Sequence, residues 1–575
     1  MYSASQVLAL SASVALCAIA VLYADLFAAL VRPARPAAHL SVAEQHQLLA
    51  SLVFYSSKSS RFTANPLPDP SAPLTTITHP PRLAFCCSAD LDVSVPAVAL
   101  MQRVQQTQQQ QQETPHTTAS QDLPVRHHER IHSLQELQES FVYYFSTGAA
   151  AEQSMNSSSA FHEIVALATA LPDVQRKVGG NAATMAARAS AEGCTVLLGA
   201  AMGTYMKQYF DDTTIQLVGT IGDEAERERE DVHLVLEYAR GDAFRGHVSP
   251  RANRYYLNHD VHNARLSVLE DFEQALETFQ PDLVVFGGLQ LMEVEQDARA
   301  RVMRLEALAK VLQNLYVVHT PTHYEFAAVS DFGLFSETVR LVLPWVDSIG
   351  LNEQELFILH HFLVTGKERT ATTSRPTIAE ISAQLHDIIQ FAKEARTTVE
   401  TSRREKGDGE EHETVALAHL SRIHFHTLQF HIVCQKKESI WEDPTSSLVQ
   451  SALISSKVAC GKPPAPASSG VSGDDDDEDK SQSMRTSAEI EVDPERVEML
   501  LAREQLLSKR QDLTVVLDPF SPVVTWQEAD FQCHLVPMLA CKKPDHTAGL
   551  GDNISGTGVA YHRLQKKTKT GVDAK

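Results

Sequence analysis

Near its C-terminus the chain reads Gly549-Leu550-Gly551-Asp552, followed by a helix-compatible run through Gly556 to Arg563. Glycines allow tight turning and close backbone approach, and the first turn of a helix offers unpaired N–H donors that suit an anion. A carboxylate beside such a site can take the proton of a hydroxyl that attacks phosphorus. An ordinary glycine loop before a short helix would read the same way. Three further acidic residues, Glu325, Glu353 and Glu355, stand just after short apolar runs. Hard oxygen ligands suit Mg²⁺, which keeps several waters and bridges carboxylates to phosphates. Glu353 and Glu355 are two apart and would not share a helix face, so one of them is expected near a metal. Gly179-Gly180-Asn181 reads as a turn with an Asn N-cap, or as a close approach of backbone and amide to a polyol. His424 and His426 share one side of a strand, but without a third ligand a buried structural role fits them better than zinc. The chain has no GxxxxGK[ST] stretch, which argues against a P-loop.

The elements that must position these groups follow from the apolar pattern. Strands are expected at Arg82–Cys87, Thr195–Leu198, Val232–Tyr238, Asp282–Phe286, Tyr316–His319, Val346–Gly350, Ile423–Cys434, Leu513–Leu517 and His534–Leu539. Helices are expected near Val42–Phe54, Ser133–Phe145, Ala160–Leu171, Ala182–Ala191, Asn263–Phe279, Met292–Asn314, Asn352–Leu363, Ile378–Arg396 and Pro494–Lys509. Short buried strands alternating with helices indicate a mostly parallel α/β sheet. Ligands of such sheets lie beyond the carboxyl ends of the strands, where Glu325 and Glu355 fall.

Acidic residues outnumber basic ones by 72 to 50, for a net charge of -22. That balance disfavours nucleic-acid binding. Eight cysteines without a CxxC pair form neither a disulfide framework nor a zinc pattern, and leave room for one or two disulfides. Residues 1–31 are apolar enough for a signal peptide or signal-anchor, and 32–81 form a Pro/Ala/Ser-rich tether. Arg32 and Arg35 lie only on the far side of the apolar run, which would favour a cytosolic domain, so topology stays open. Low-complexity inserts are read near 103–120, 366–375, 397–413 and 457–487, the first as a solvent-exposed loop, and 566–575 is a basic tail.

Taken in order, Gly179–Ala183, His323–Glu325, Gly350–Leu356, Arg422–His426 and Gly549–Asp552 resemble the motifs of the ADP-dependent glucokinases. Ala252-Asn253-Arg254 and Pro281–Val285 are similar to their animal members, and the likeness runs from about Arg82 to Tyr561 apart from the inserts, within a kinase domain read as 82–565. The resemblance implies a ribokinase-like three-layer α/β/α large domain with a smaller discontinuous lid. It implies transfer of the β-phosphoryl group of ADP to the 6-hydroxyl of glucose, giving AMP and glucose 6-phosphate, with Mg²⁺ or another divalent cation. Asp552 would be the base, and Gly549, Leu550 and Gly551 the anion hole. Glu325, Glu355 and Asp552 would hold the metal, partly through water. Asp92, Glu152, Gly180, Asn181 and His259 would meet the sugar, and Arg254 the nucleotide phosphates. A monomer in the endomembrane system, foremost the endoplasmic reticulum, or secreted, is the matching expectation, with membrane association through the N-terminal segment left open. Two departures stand out: Ser88 where the family has Asn, and the glycosylation sequon Asn553-Ile554-Ser555 beside the base. The alternatives are a ribokinase-like kinase with another donor or sugar, and a degenerate sugar- or nucleotide-binding protein.

Overall fold

The computed structural model describes residues 42–59, 80–111, 124–128, 130–149, 151–172, 174–210, 214–220, 231–250, 252–369, 376–406, 414–461, 490, 492–501, 507–510, 513–542 and 549–564. The apolar N-terminal segment, most of the tether, the acidic run and the basic tail lie outside them. Among the described residues no helix is long and apolar enough to cross a membrane.

A ten-stranded sheet forms the large domain. Its strands run in the spatial order Val524–Glu528, Phe531–Pro537, Phe430–Lys436, Arg422–His426, Ser348–Leu351, Thr322–Glu325, Leu283–Phe286, Arg82–Cys86, Thr195–Met202 and Ile215–Thr220. From Arg422–His426 to Ile215–Thr220 all neighbours are parallel, and the remaining edge is antiparallel. The strands Arg82–Cys86, Thr195–Met202 and Leu283–Phe286 are apolar on both faces because helices cover both. Ala84, Cys86, Leu197, Val284 and Phe286 pack with Phe272, Leu308 and Leu312 on one side. Leu83, Phe85, Val196, Leu198, Leu283 and Val285 pack with Ala182, Ala186 and Val559 on the other. After Arg82–Cys86 the chain builds one side of the sheet, then returns beyond it at Leu283–Phe286. This reversal opens a crevice at the carboxyl ends of those two strands.

A second, five-stranded sheet forms the lid, in the order Ala151–Ser154, Asn253–Asn258, Val232–Tyr238, Asp90–Pro96 and Gln175–Gly179. Its segments are separated in sequence by Thr195–Met202 of the large sheet, so the lid is discontinuous, as the resemblance implied. Strand alternation gives it two chemically distinct faces. Val93, Val95, Leu234, Leu236, Tyr255 and Leu257 pack against Phe141, Phe145 and Ile164 of the lid helices. Asp92, His233, Arg254, Tyr256 and Asn258 occupy the alternate positions of the same strands.

Several expected elements are corrected. Tyr316–His319 is not a strand: Ala298–Val317 continues as helix, burying Leu305, Leu308, Leu312 and Leu315 at helical spacing. Val317 and Val318, which suggested a strand, are 72% and 67% exposed. The strand follows at Thr322–Glu325. The long run Ile423–Cys434 splits into an antiparallel pair, Arg422–His426 and Phe430–Lys436. Thr427 makes that turn, its Oγ1 accepting from the N–H groups of Gln429 and Phe430 at 3.0 and 3.2 Å. The expected helix at Pro494–Lys509 is replaced by a 3₁₀ turn and the strand Val497–Met499, which pairs with Leu539–Cys541. Two inserts begin as helix: Ala97–Gln111 carries into the glutamine run, and Ile378–Lys406 overruns residues 397–406. Glutamine and glutamate are good helix formers, and an amphipathic start carries the helix into them. The cysteines pair more than expected, as Cys86–Cys87, Cys434–Cys533 and Cys460–Cys541.

Candidate active site

The Leu550–Ala560 helix begins at Gly549, whose φ of 64° lies in the left-handed region that glycine enters readily. Its N-terminal N–H groups therefore open beyond the sheet, with Asp552 in the first turn. The Asn181 amide donates to Asp552 Oδ1 at 2.7 Å, and Asn181 Oδ1 in turn accepts from Gln290 at 3.1 Å. Asn181 opens the helix Asn181–Ala191, directly after the lid strand Gln175–Gly179. The junction is Gly180, with φ 87° and a hypothetical Cβ only 2.7 Å from Ala89 Cα. No side chain fits there, so glycine is required by both torsion and space.

Burial raises the Asp552 carboxyl to about 7, against the lowering effect of the Asn181 hydrogen bond. A carboxylate poised near neutrality suits a general base. In the ionised form Asp552 accepts a proton, so kcat/KM should rise with pH through about 7. Asn181→Ala removes the hydrogen bond that favours the ionised form, and should move this acid limb to higher pH. A pH–rate profile checks the sign. An unchanged limb in Asn181→Ala would remove Asp552 as the titrating base.

Glu325, the last residue of its strand, lies 3% exposed at the sheet's carboxyl edge. Its Oε1 accepts from Ser555 Oγ at 2.7 Å and faces His426 Nε2 at 3.2 Å, while Oε2 faces His323 Nε2 at 3.1 Å. Burial pushes the Glu325 carboxyl up, but the bonds to His323 and His426 overturn this and hold it at about 2. His426, at the end of Arg422–His426, is drawn up by Glu325 despite burial. His424, with both ring nitrogens buried and unpartnered, is driven well down by burial. The structural role expected for His426 is thus a hydrogen bond to Glu325, whereas His424 has no such partner.

Asn352 and Glu355 form a reciprocal cap on Glu353–Thr365. Both Glu355 oxygens accept from Asn352, its backbone N–H at 2.8 Å and its amide at 2.8 Å. Burial raises Glu355 to about 7. Glu325, Glu355 and Asp552 thus supply oxygen donors around one crevice, but all three already accept from protein donors. This donor set fits a hydrated Mg²⁺ held through water rather than a direct chelate. Among the described residues, the one group of three close enough to chelate an ion directly is Asp90, Asp92 and His233.

On the lid, Asp92 lies between Lys177 and His233 in register, and Arg254 and Tyr256 follow on the next strand. Burial raises Asp92 to about 6, opposed by His233, Arg254 and Lys177. Glu152 accepts from Asn258 Nδ2 at 3.4 Å. His259 directs Nδ1 at the Met155 carbonyl, 2.6 Å away, and its ring at Phe161, leaving Nε2 for a ligand. Ser88 follows Arg82–Cys86, and its Oγ accepts from Ala182 N–H at 3.2 Å, capping the helix that carries Asn181. Serine therefore serves the scaffold where the resemblance placed an amide for the sugar. The sequon is equally committed: the Asn553 amide accepts from Arg188 Nε at 2.9 Å and donates to the Gly549 carbonyl at 2.9 Å. Folded chain has no free Asn553 amide to glycosylate.

Sequence reasoning missed Asp90, His233, Asp260 and Gln290, and did not see Ser555 as a partner of Glu325. The strand alternation of Val232–Tyr238 points His233 to the Asp92 face, and could have found it. Gln290 and Ser555 meet their partners only through tertiary contact.

The conserved region described as ADP-specific phosphofructokinase/glucokinase matches residues 81–561. The chain belongs to this family. The ADP-dependent glucokinase of Bos taurus is 31% identical over 442 residues, 76% of this chain and 78% of the relative. The probable ADP-dependent glucokinase of Caenorhabditis elegans is 26% identical over 509 residues, 84% and 86% of the two chains. Among solved structures, a hypothetical ADP-dependent phosphofructokinase from Pyrococcus horikoshii OT3 aligns with a TM-score of 0.51 at 14% identity. That match covers 84% of this chain and 97% of the other, and shows the shared fold. The large sheet with its smaller discontinuous lid is the fold the two share.

Proposed function

We propose that this kinase transfers the β-phosphoryl group of ADP to the 6-hydroxyl of glucose, releasing AMP and glucose 6-phosphate. Family membership and the named glucokinase relatives support the donor and the sugar. The observation that carries glucose over a phosphorylated sugar is the set of carboxyl groups on the lid around Asp92, where Asp90, Asp260 and Glu152 also gather near His233 and offer hydrogen-bond acceptors. Such a face suits neutral hydroxyls, which can donate to these acceptors, better than a phosphate, which cannot.

Asp552 accepts the proton of the attacking hydroxyl, held in orientation by Asn181. The N–H groups of Gly549, Leu550 and Gly551 face the charge that develops on the transferred group. Asp92, Glu152, Gly180, Asn181 and the free Nε2 of His259 fix the sugar, and Arg254 meets the nucleotide phosphates. When bound, Mg²⁺ neutralises phosphate charge, with Glu325 and Glu355 ordering its water shell. Closing the lid excludes water that would otherwise hydrolyse the donor.

A coupled assay for glucose 6-phosphate, run with ADP and ATP against glucose and fructose 6-phosphate, tests this reading. Turnover with ATP alone would overturn the donor. Turnover of fructose 6-phosphate alone would overturn the sugar. We also propose residence in the endomembrane system or secretion, supported by the apolar N-terminal run and by three cysteine pairs, which persist in oxidising compartments. Digestion of the domain by protease added outside intact vesicles would contradict a luminal placement.

A further inference from the structure

The lid holds a buried acidic side chain that phosphoryl transfer does not use. Asp90 is 1% exposed, and neither of its carboxylate oxygens has a hydrogen-bond partner. Asp92 Oδ1 is likewise buried and unpartnered. Buried polar atoms without partners are unfavourable, and where several converge they indicate a missing ligand.

Asp90 and Asp92 are two apart on Asp90–Pro96 and so share a face, and the parallel register sets His233 opposite Asp92. One oxygen of each carboxylate and one His233 nitrogen all lie within 4.8 Å of one another. His233 Nδ1 stands 3.5 Å from Asp90 Oδ1, while Nε2 is 2.9 Å from Asp260 Oδ1. Asp260 is itself anchored, its Oδ2 accepting from Asn263 Nδ2 at 3.1 Å. Asn263 in turn grips both backbone polar groups of Ala89, the residue before Asp90. A metal-bound histidine has this arrangement: one nitrogen on the ion, and the other N–H on a carboxylate that is held in place.

We propose that Asp90, Asp92 and His233 form a divalent transition-metal site on the lid, separate from the hydrated Mg²⁺ that accompanies the nucleotide. Two carboxylate oxygens and an imidazole nitrogen suit Zn²⁺ or Mn²⁺, whereas Mg²⁺ prefers oxygen ligands and retains its waters. Asp260 is a positioning residue that fixes the imidazole. Asp92 is the most open of the three ligands and gives the ion its entry from the cleft. An ion on Asp92 excludes sugar from the same carboxylate. That competition rests on the sugar-binding reading of Asp92, while metal binding does not.

Calorimetric titration of the full chain with Zn²⁺ in excess Mg²⁺ should show a site that Asp90→Asn weakens at least about tenfold and Asp260→Asn about 10- to 100-fold. Both substitutions are isosteric, and burial already pushes the Asp90 carboxyl well up toward its neutral form, so the fold should survive. Wild-type Zn²⁺ affinity in both variants overturns the site. A crystal of the unaltered protein soaked in Zn²⁺ gives a reading that depends on no variant: anomalous density between Asp90, Asp92 and His233 supports the site, and density only elsewhere overturns it. Glucose should weaken Zn²⁺ binding to the wild type. If anomalous density stands at the site but glucose has no effect, the competition falls while the metal site holds.

Discussion

Asp552→Asn is expected to lower kcat by about 10²- to 10⁴-fold, the usual contribution of a positioned general base. The ADP dissociation constant should stay within roughly a factor of two, because the substitution spares the features proposed to meet the nucleotide. The carboxamide is isosteric, and its oxygen can still accept from the Asn181 amide that now lies 2.7 Å from Oδ1. The helix still begins at Gly549, so the N–H groups proposed to meet the phosphates are unchanged. Only the ability to take a proton is lost. Stopped assays of glucose 6-phosphate together with calorimetric titration of ADP separate the two effects. The acid limb near pH 7 should also vanish from whatever turnover remains, since the group that titrates there is gone. Turnover close to wild type would exclude Asp552 as the base, and a parallel collapse of ADP affinity would mean that it positions the nucleotide instead.

Legibility in the sequence followed the range of the interactions. Short apolar strands announce themselves, so the placement of Glu325 and Glu355 at or just beyond strand ends was readable, as was Asp552 at the start of a helix. What those residues touch was not. Glu325 and Ser555 are 230 positions apart, and Asn181 and Asp552 are 371 apart. No local pattern encodes such a pairing. The failures have the same origin. Tyr316–Val318 has strand-like residue types, yet the buried leucines before it set a helical period that carries through the run. Val497–Met499 lies in a helix-forming context but finds a partner strand in Leu539–Cys541. Ser88 departs from the family's Asn. Only the fold reveals that its hydroxyl caps the helix bearing Asn181.

Glu325→Ala should destabilise the protein by about 3–5 kcal/mol, the range for removing one partner of a buried charged pair. The side chain is 3% exposed and serves His323, His426 and Ser555 at once. Its truncation would leave buried His426 without the carboxylate it hydrogen-bonds, with only Glu355 and Glu353 left to offset its charge. Gly350 in the adjacent strand leaves the room this carboxylate fills, since a Cβ there would overlap it. The pH dependence gives the sign. The Glu325 carboxyl is held at about 2 in the fold against 4.5 as the ordinary value. A depressed carboxyl contributes stability that is fully present above about 4.5 and is lost as pH falls toward 2. His426 is shifted upward, so its contribution is present below its ordinary 6.5 and fades as pH rises through its folded value. The pair should therefore stabilise most between those limits, and the stability of Glu325→Ala should vary less with pH on both sides. Urea unfolding of the two proteins across that range measures the difference directly. A Glu325 that served only to order the water shell of Mg²⁺ would instead leave stability unchanged and shift only the Mg²⁺ dependence of turnover. The unfolding curves and the metal titration therefore distinguish a scaffold carboxylate from a metal carboxylate, and the three protein hydrogen bonds to Glu325 predict that the unfolding curves will move.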